Sequence, residues 1–200
     1  MGRRRFEGHI VGVGTTSGVR LVLGHWDRSP LGSFADVMVE RADGHRVLLA
    51  PNEEVATFVA STYTFDAVRL EPVEVARAGR LWVVTTPSLR LEVEAGRRTV
   101  LGRLLRLVPR RLATSPAWST LTDPVARVVL RGVRTRGSAG QGRREYYGAT
   151  DALAVVSAGG TFEGRALGGL APVDPPCRFG FSSTPRRPQV TEVTTTVVTG

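Results

Sequence analysis

Short stretches in which apolar residues alternate with polar or small ones recur through most of the chain, separated by breaks rich in Gly, Pro or Asp. A period of two sends successive side chains to opposite faces of a strand, so each stretch offers one face to a core. Residues 6–13 and 19–26 alternate around Gly14-Thr-Thr-Ser-Gly18, and residues 34–41 and 45–50 around Ala42-Asp-Gly44. Both pairs read as hairpins. Residues 68–75 (irregular at Pro72), 81–86, 89–93, 152–158, 161–167 and 190–199 read as further strands. Strict strand–helix alternation is absent, which argues against a doubly wound parallel sheet. The expected fold is α+β: a mostly antiparallel curved or barrel-like sheet with two or three inserted helices.

The turns imply registers. With Val13 facing Val19, Phe6 falls opposite Trp26, Gly8 opposite Gly24 and Ile10 opposite Val22. Two facing glycines would then notch the sheet beside Trp26. The other face carries Glu7, His9 and His25, with Asp27 one step beyond. In the second hairpin a three-residue loop with Gly44 left-handed sets Glu40 against Arg46, avoiding an Arg41–Arg46 clash. One helix is plain: Asn52 can cap it, Glu53 and Glu54 suit its positive end, and Val55, Phe58, Val59 and Thr62 share a face.

Charge divides the 200 residues unevenly. The formal net charge is +9, and all 27 basic residues are arginine. Residues 1–96 hold 11 arginines against 12 acids, and residues 145–200 hold 4 against 5. Residues 97–144 hold 12 arginines and a single acid, Asp123. A GC-rich coding bias explains the missing lysines, since Ile10 and Asn52 are also the only residues of their types. It does not remove acids from one segment alone. Within that segment Leu101, Leu104, Leu105, Val108 and Leu112 follow a helical period, with Arg103, Arg106 and Arg110 on the opposite face. Pro109 should end this helix near Val108. A second helix is expected from Asp123-Pro124 to Gly132, with Arg127, Arg131 and Arg134 as a stripe, although residues 128–130 also suit a strand. A Gly-rich basic loop follows and ends in Arg143 and Arg144.

Three readings fit this segment. Two helices can pack apolar faces on the sheet and leave solvated arginines outside. A basic amphipathic helix can bind anionic lipid. Arginines can also neutralise the phosphates of nucleic acid, although Trp118 alone supplies no stacking ladder.

Several chemistries are excluded. Without lysine there is no Schiff base, no Walker-type phosphate lysine and no Ser-Lys pair. Cys177 is the only cysteine, so neither an internal disulfide nor a cysteine-based zinc site can form within the chain. Gly12-Val-Gly14-Thr-Thr-Ser-Gly18 has the wrong spacing for a dinucleotide fingerprint and leads into a strand. The residues Arg3, Arg4 and Arg5 are not followed by an apolar stretch, so no export signal and a cytoplasmic location are expected. No window supports a membrane span.

The remaining candidates are few. Glu7, His9 and His25 could ligate a divalent metal or transfer protons, and an exposed polar strand face accounts for the same residues. Cys177 beside Arg178 could be a thiolate, but a lone cysteine usually packs as a small hydrophobe. Tyr146 and Tyr147 with Asp151 could line a pocket.

Four runs resemble a group of actinobacterial proteins with no assigned activity: Gly12-Val-Gly-Thr-Thr-Ser-Gly-Val-Arg-Leu-Val22, Ser29-Pro-Leu-Gly-Ser-Phe-Ala-Asp36, Thr62-Tyr-Thr-Phe-Asp66 and Phe179-Gly-Phe-Ser-Ser-Thr-Pro185. The resemblance implies one intact domain over residues 1–200 and carries over no site residue. The leading expectation is a β-rich domain that binds a small molecule, anions included, at the notched sheet. Trp26, Arg103, Arg106, Arg110, Arg127, Arg131, Arg143 and Arg144 are the candidate contacts. No cofactor is implied, and no residue pattern assigns a reaction. A polyanion-binding module (nucleic acid or an anionic membrane surface) and a scaffold for an acidic protein are the alternatives.

Overall fold

The structure, a computed structural model, describes residues 2–129, 133–138 and 142–198, without the side chains of Val125, Arg127, Val128 and Val129. Two hairpins open the chain: β1 (Arg3–Thr15) with β2 (Arg20–Arg28), then β3 (Phe34–Glu40) with β4 (Arg46–Ala50). Helix α1 (Glu53–Ala60) leads to β5 (Ala67–Leu70), and β6 (Glu74–Ala78), β7 (Leu81–Thr85) and β8 (Leu89–Arg98) form a meander. Helices α2 (Val100–Leu105), α3 (Arg110–Ala113) and α4 (Pro116–Val129) follow. The chain then forms β9 (Arg136–Ser138), the long β10 (Arg144–Phe162), the short β11 (Arg165–Ala166) and β12 (Leu170–Ala171), and β13 (Gln189–Val198).

One sheet runs in the order β5-β4-β3-β2-β1-β13-β10-β8-β7-β6, with β9 and β11 on β10 and β12 on β1. Only the β4–β5 pairing is parallel among the described residues. Residues 68–75, expected as one strand, are divided between β5 and β6 around Pro72, which has no N–H to give a ladder. Those two strands sit at opposite ends of the sheet, yet only residues 71–73 join them. Four Cα steps reach about 14 Å at most. The sheet must therefore curl into a half-barrel. Its enclosed face holds one core to which both ends contribute: Val11, Val13, Leu21, Leu23, Val37 and Val39 from β1–β3 meet Trp82, Val84, Leu89, Leu91 and Val93 from β7 and β8.

The first hairpin corrects the expected register. Gly8 pairs with Trp26, Ile10 with Gly24 and Gly12 with Val22, two residues from the expected pairing. The strands run closer to the turn than expected, leaving Thr16-Ser-Gly18 as a three-residue loop with Gly18 at φ +83. The second hairpin uses the same device, with Gly44 at φ +89 and Glu40 opposite Arg46 as expected. A shift of two leaves the side chains from Gly8 to Trp26 on their expected faces, and beyond a bulge at Asp27 Arg28 pairs with Glu7.

The helices differ more. Asn52 caps α1 as expected, its side chain accepting from the Val55 N–H at 2.9 Å. Helix α2 stops at Leu105, short of Val108, and of the expected apolar face Leu104 and Leu112 are exposed rather than packed. Helix α4 begins at Pro116, not at Asp123. Ser115 accepts from the Trp118 N–H at 3.2 Å and Pro116 opens the helix, so the cap-plus-proline signature is used eight residues earlier. Asp123 lies inside the helix, where its Oδ1 accepts from the Thr135 N–H at 2.9 Å. Among the described residues, no helix is long and apolar enough to cross a membrane.

Candidate functional site

The face of β1–β3, β10 and β13 opposite the filled core is only partly covered. Helix α1 packs on it through Val55 and Val59, and residues 173–179 cover another part through Val173, Cys177 and Phe179. Leu101 and Leu105 of α2 and Trp118, Leu121, Thr122 and Ala126 of α4 close a third side. Between these covers and the sheet lies a cavity of about 610 Å³. Its aromatic wall is built around Phe6, which stacks on Phe58 at 4.9 Å and meets Trp26 and Phe34 edge-on at 5.8 and 6.5 Å. Ile10, Met38, Val193 and Val197 continue the apolar lining.

The expected notch of facing glycines is absent. Gly8 and Gly24 are not opposite each other, and neither leaves a void. A Cβ on Gly8 would lie 2.0 Å from the His25 carbonyl oxygen, so that glycine permits close strand approach. A Cβ on Gly24 would lie 2.6 Å from Asp36 Oδ1 and 2.8 Å from Trp26 Nε1. Gly24 thus makes room for a polar pair on the cavity wall. In that pair Trp26 Nε1–H donates to Asp36 Oδ1 at 3.3 Å, and Oδ2 has no hydrogen-bond partner among the described residues. Burial pushes the Asp36 carboxyl up to about 7 despite that bond.

A second carboxyl stands across the sheet. The Tyr63 hydroxyl lies 3.0 Å from both oxygens of Glu145 and 2.7 Å from the Tyr147 hydroxyl. Burial raises Glu145 to about 7, against the lowering effect of the tyrosine hydrogen bonds. Burial, and then the Glu145 charge, raise both tyrosines well above their ordinary range, so they remain neutral donors. Thr184 and Thr195 add hydroxyls that line the cavity without a hydrogen-bond partner among the described residues. Cys177 also lines it, but burial and the nearby Glu40 charge push its thiol up to about 12. It is not a nucleophilic thiolate at neutral pH.

Of the candidate contacts, Trp26 lines the cavity. The arginines do not converge there. Arg103 and Arg144 are exposed, Arg106 lies 3.9 Å from Asp151, and Arg110 pairs with Glu192 at 2.8 Å. Arg143 donates to the Ser61 carbonyl and hydroxyl, each at 2.7 Å, and sits over the Phe58 ring. The Arg127 side chain and Arg131 lie outside the described residues. Arg134, by contrast, reaches the cavity lining. Tyr147 lines the cavity, while Asp151 does not: burial would raise its carboxyl, but Arg98 at 2.8 Å holds it below the usual range.

The histidines lie on the enclosed face of the sheet. His9 pairs directly with His25, and both rings stand edge-on to Trp82 at 5.3 and 5.7 Å. Burial lowers the pKa of both. Glu7 is not with them, because Arg5 and Arg28 each hold it at 3.0 Å.

Sequence reasoning missed Asp36, Glu145 and Tyr63. Asp36 left one trace, an acid amid the apolar run 34–39. Tyr63 and Glu145 are 82 residues apart and left none.

Fold and cavity together define a curled, mostly antiparallel sheet with helices over a half-open, largely apolar chamber. No protein-family model matches the sequence, and no curated protein does. Among solved structures the chain is similar to acetoacetate decarboxylase from Legionella pneumophila subsp. pneumophila str. Philadelphia 1, with a TM-score of 0.44 and 8% identity over 100% of this chain and 85% of that one.

Proposed function

We propose that the chain binds a small, mainly apolar molecule in the cavity and recognises one neutral polar group on it. The observation that carries this reading is the chamber itself. Its roughly 610 Å³ falls in the range of about 300–1,000 Å³ typical of small-molecule sites, with aromatic walls and a few convergent polar groups. Neutral tyrosine hydroxyls, Asp36, Thr184 and Thr195 can hydrogen-bond a hydroxyl, carbonyl or amide. The two buried carboxyls disfavour an anionic ligand, and the arginine excess lies mostly outside the cavity. The ligand class is therefore neutral and apolar with a polar head.

Thermal shift across a panel of neutral alcohols, ketones and amides tests this, with the fluorescence of Trp26 and Trp118 as a second signal. A ligand at 100 times its Kd should add about 2.7 kcal/mol of stability. Ala149→Phe, which fills the chamber from β10, should abolish the shift. No stabilising compound, or an equal shift in Ala149→Phe, overturns the proposal.

A second reading, proton transfer to or from the bound molecule, is favoured by Glu145, whose pKa near 7 suits general acid–base work at neutral pH. Glu145→Gln should then keep binding but lose solvent exchange of the ligand's acidic C–H protons, read by NMR in D2O.

A further inference from the structure

We propose that His9, His25 and Asp27 form a binding site for one divalent transition-metal ion, of the zinc, cobalt or nickel class, on the sheet face opposite the cavity. The strands place the ligands. His9 is the direct cross-strand partner of His25, and Asp27 is the extra residue of the bulge that follows Trp26, from which its carboxylate reaches both rings on the same face. His9 Nδ1 is 3.8 Å from Asp27 Oδ2, and His25 Nδ1 is 3.7 Å from Oδ1. One ligand atom from each residue lies within 4.8 Å of the others.

Those separations are too long for hydrogen bonds. They approach the spacing of ligand atoms that each stand about 2.0–2.2 Å from a shared ion. Both Nδ1 atoms are buried and have no hydrogen-bond partner among the described residues. Buried imidazole nitrogens are normally satisfied, so two orphans aimed at one carboxylate call for a shared partner. Trp82 braces both rings from β7, which fixes their orientation before an ion arrives. Asp27 is 55% exposed, which gives the ion a path from solvent and leaves room for water as a further ligand.

Neighbouring charges set the strength. Glu192, the β13 partner of His9, would favour a cation but is paired with Arg110. The Arg77 guanidinium, 4.0 Å over the Trp82 ring, opposes one. Two imidazoles and one carboxylate suit borderline ions rather than magnesium or calcium, which prefer all-oxygen sets.

Calorimetric titration of the full chain with Zn²⁺, and with Co²⁺ for its visible absorption, tests the site. One ion per chain is expected, with histidine-type Co²⁺ bands. Asp27→Asn, at an exposed position, and His25→Gln should each weaken binding about tenfold or more, while Arg77→Gln should tighten it. Near-UV circular dichroism of the metal-free variants checks folding, and Asp27→Asn decides if His25→Gln misfolds. No binding at tens of micromolar, undiminished binding in Asp27→Asn, or no tightening in Arg77→Gln overturns the proposal.

Discussion

The two faces of the same strands are built to opposite ends. On β1 and β2, the enclosed face reads Val11, Val13, Leu21 and Leu23, all essentially inaccessible. The cavity face of those strands reads Ile10, Gly12, Val22 and Gly24, and β13 adds Thr191 and Thr195. Large branched side chains fill one side, while on the other Gly12 admits the Thr184 side chain and Gly24 the Trp26–Asp36 pair, and the helical covers close only part of the space above them.

Truncations should break this symmetry most. Leu23→Ala removes a side chain that the core surrounds, and should cost about 2–5 kcal/mol in denaturant unfolding. Ile10→Ala, one strand away on the cavity face, borders space that is already unfilled. It should cost less than about 2 kcal/mol, because fewer contacts are lost. Equal costs would mean that the chamber is filled by rearrangement in solution.

The two faces should also carry pH dependences of opposite sign. Burial lowers the pKa of His9 and His25 on the enclosed face, so their share of stability grows as pH rises, while the cavity-face carboxyls do the reverse. Asp36 and Glu145 have folded pKa values raised to about 7 from 3.8 and 4.5. Below the unfolded values both states are protonated and burial costs nothing. As pH rises from about 4 to 7, the unfolded carboxyls ionise while the folded ones resist, so stability falls, and above about 7 it levels off. The loss should be on the order of a few kcal/mol. Glu145→Gln, which keeps a polar amide beside Tyr63 and Tyr147, should flatten the fall and be more stable than the parent at pH 8. An unchanged slope would place the carboxylate in contact with water.

How far the sequence reaches follows the range of the interactions. Asn52, Glu53 and Glu54 announce α1, and Gly44 sets its hairpin, because their causes lie within a few residues. Alternation alone assigns Trp26 to one face and the histidines to the other, and a two-residue register error cannot disturb that. It does choose the wrong partner for the histidines: Glu7 is drawn off by Arg5 and Arg28, and Asp27 takes its place. Pro72 is legible as an irregularity, but not as the point where the chain crosses between sheet edges. The Tyr63–Glu145–Tyr147 cluster forms only when α1's exit meets β10, and no local pattern encodes that meeting. The arginine excess was the loudest signal and the least informative about the cavity, since charge reports where water is rather than where a ligand sits.

The smallest effects should come from that excess. Arg103 and Arg144 are exposed, and among the described residues no ion pair is seen for either, so Arg103→Gln and Arg144→Gln should each change stability by less than about 0.5 kcal/mol. Arg143 differs although it adjoins Arg144. It satisfies the Ser61 carbonyl at the end of α1 and lies 5.7 Å over Phe58, whose ring is part of the cavity wall. Arg143→Gln should cost about 1 kcal/mol through the lost charged hydrogen bond and ring contact. It should also weaken ligand binding modestly by loosening Phe58. Thermal unfolding of the three variants side by side separates the cases. Should all three behave alike, the arginines act only as surface charge, and the aromatic wall is held from within by Phe6 alone.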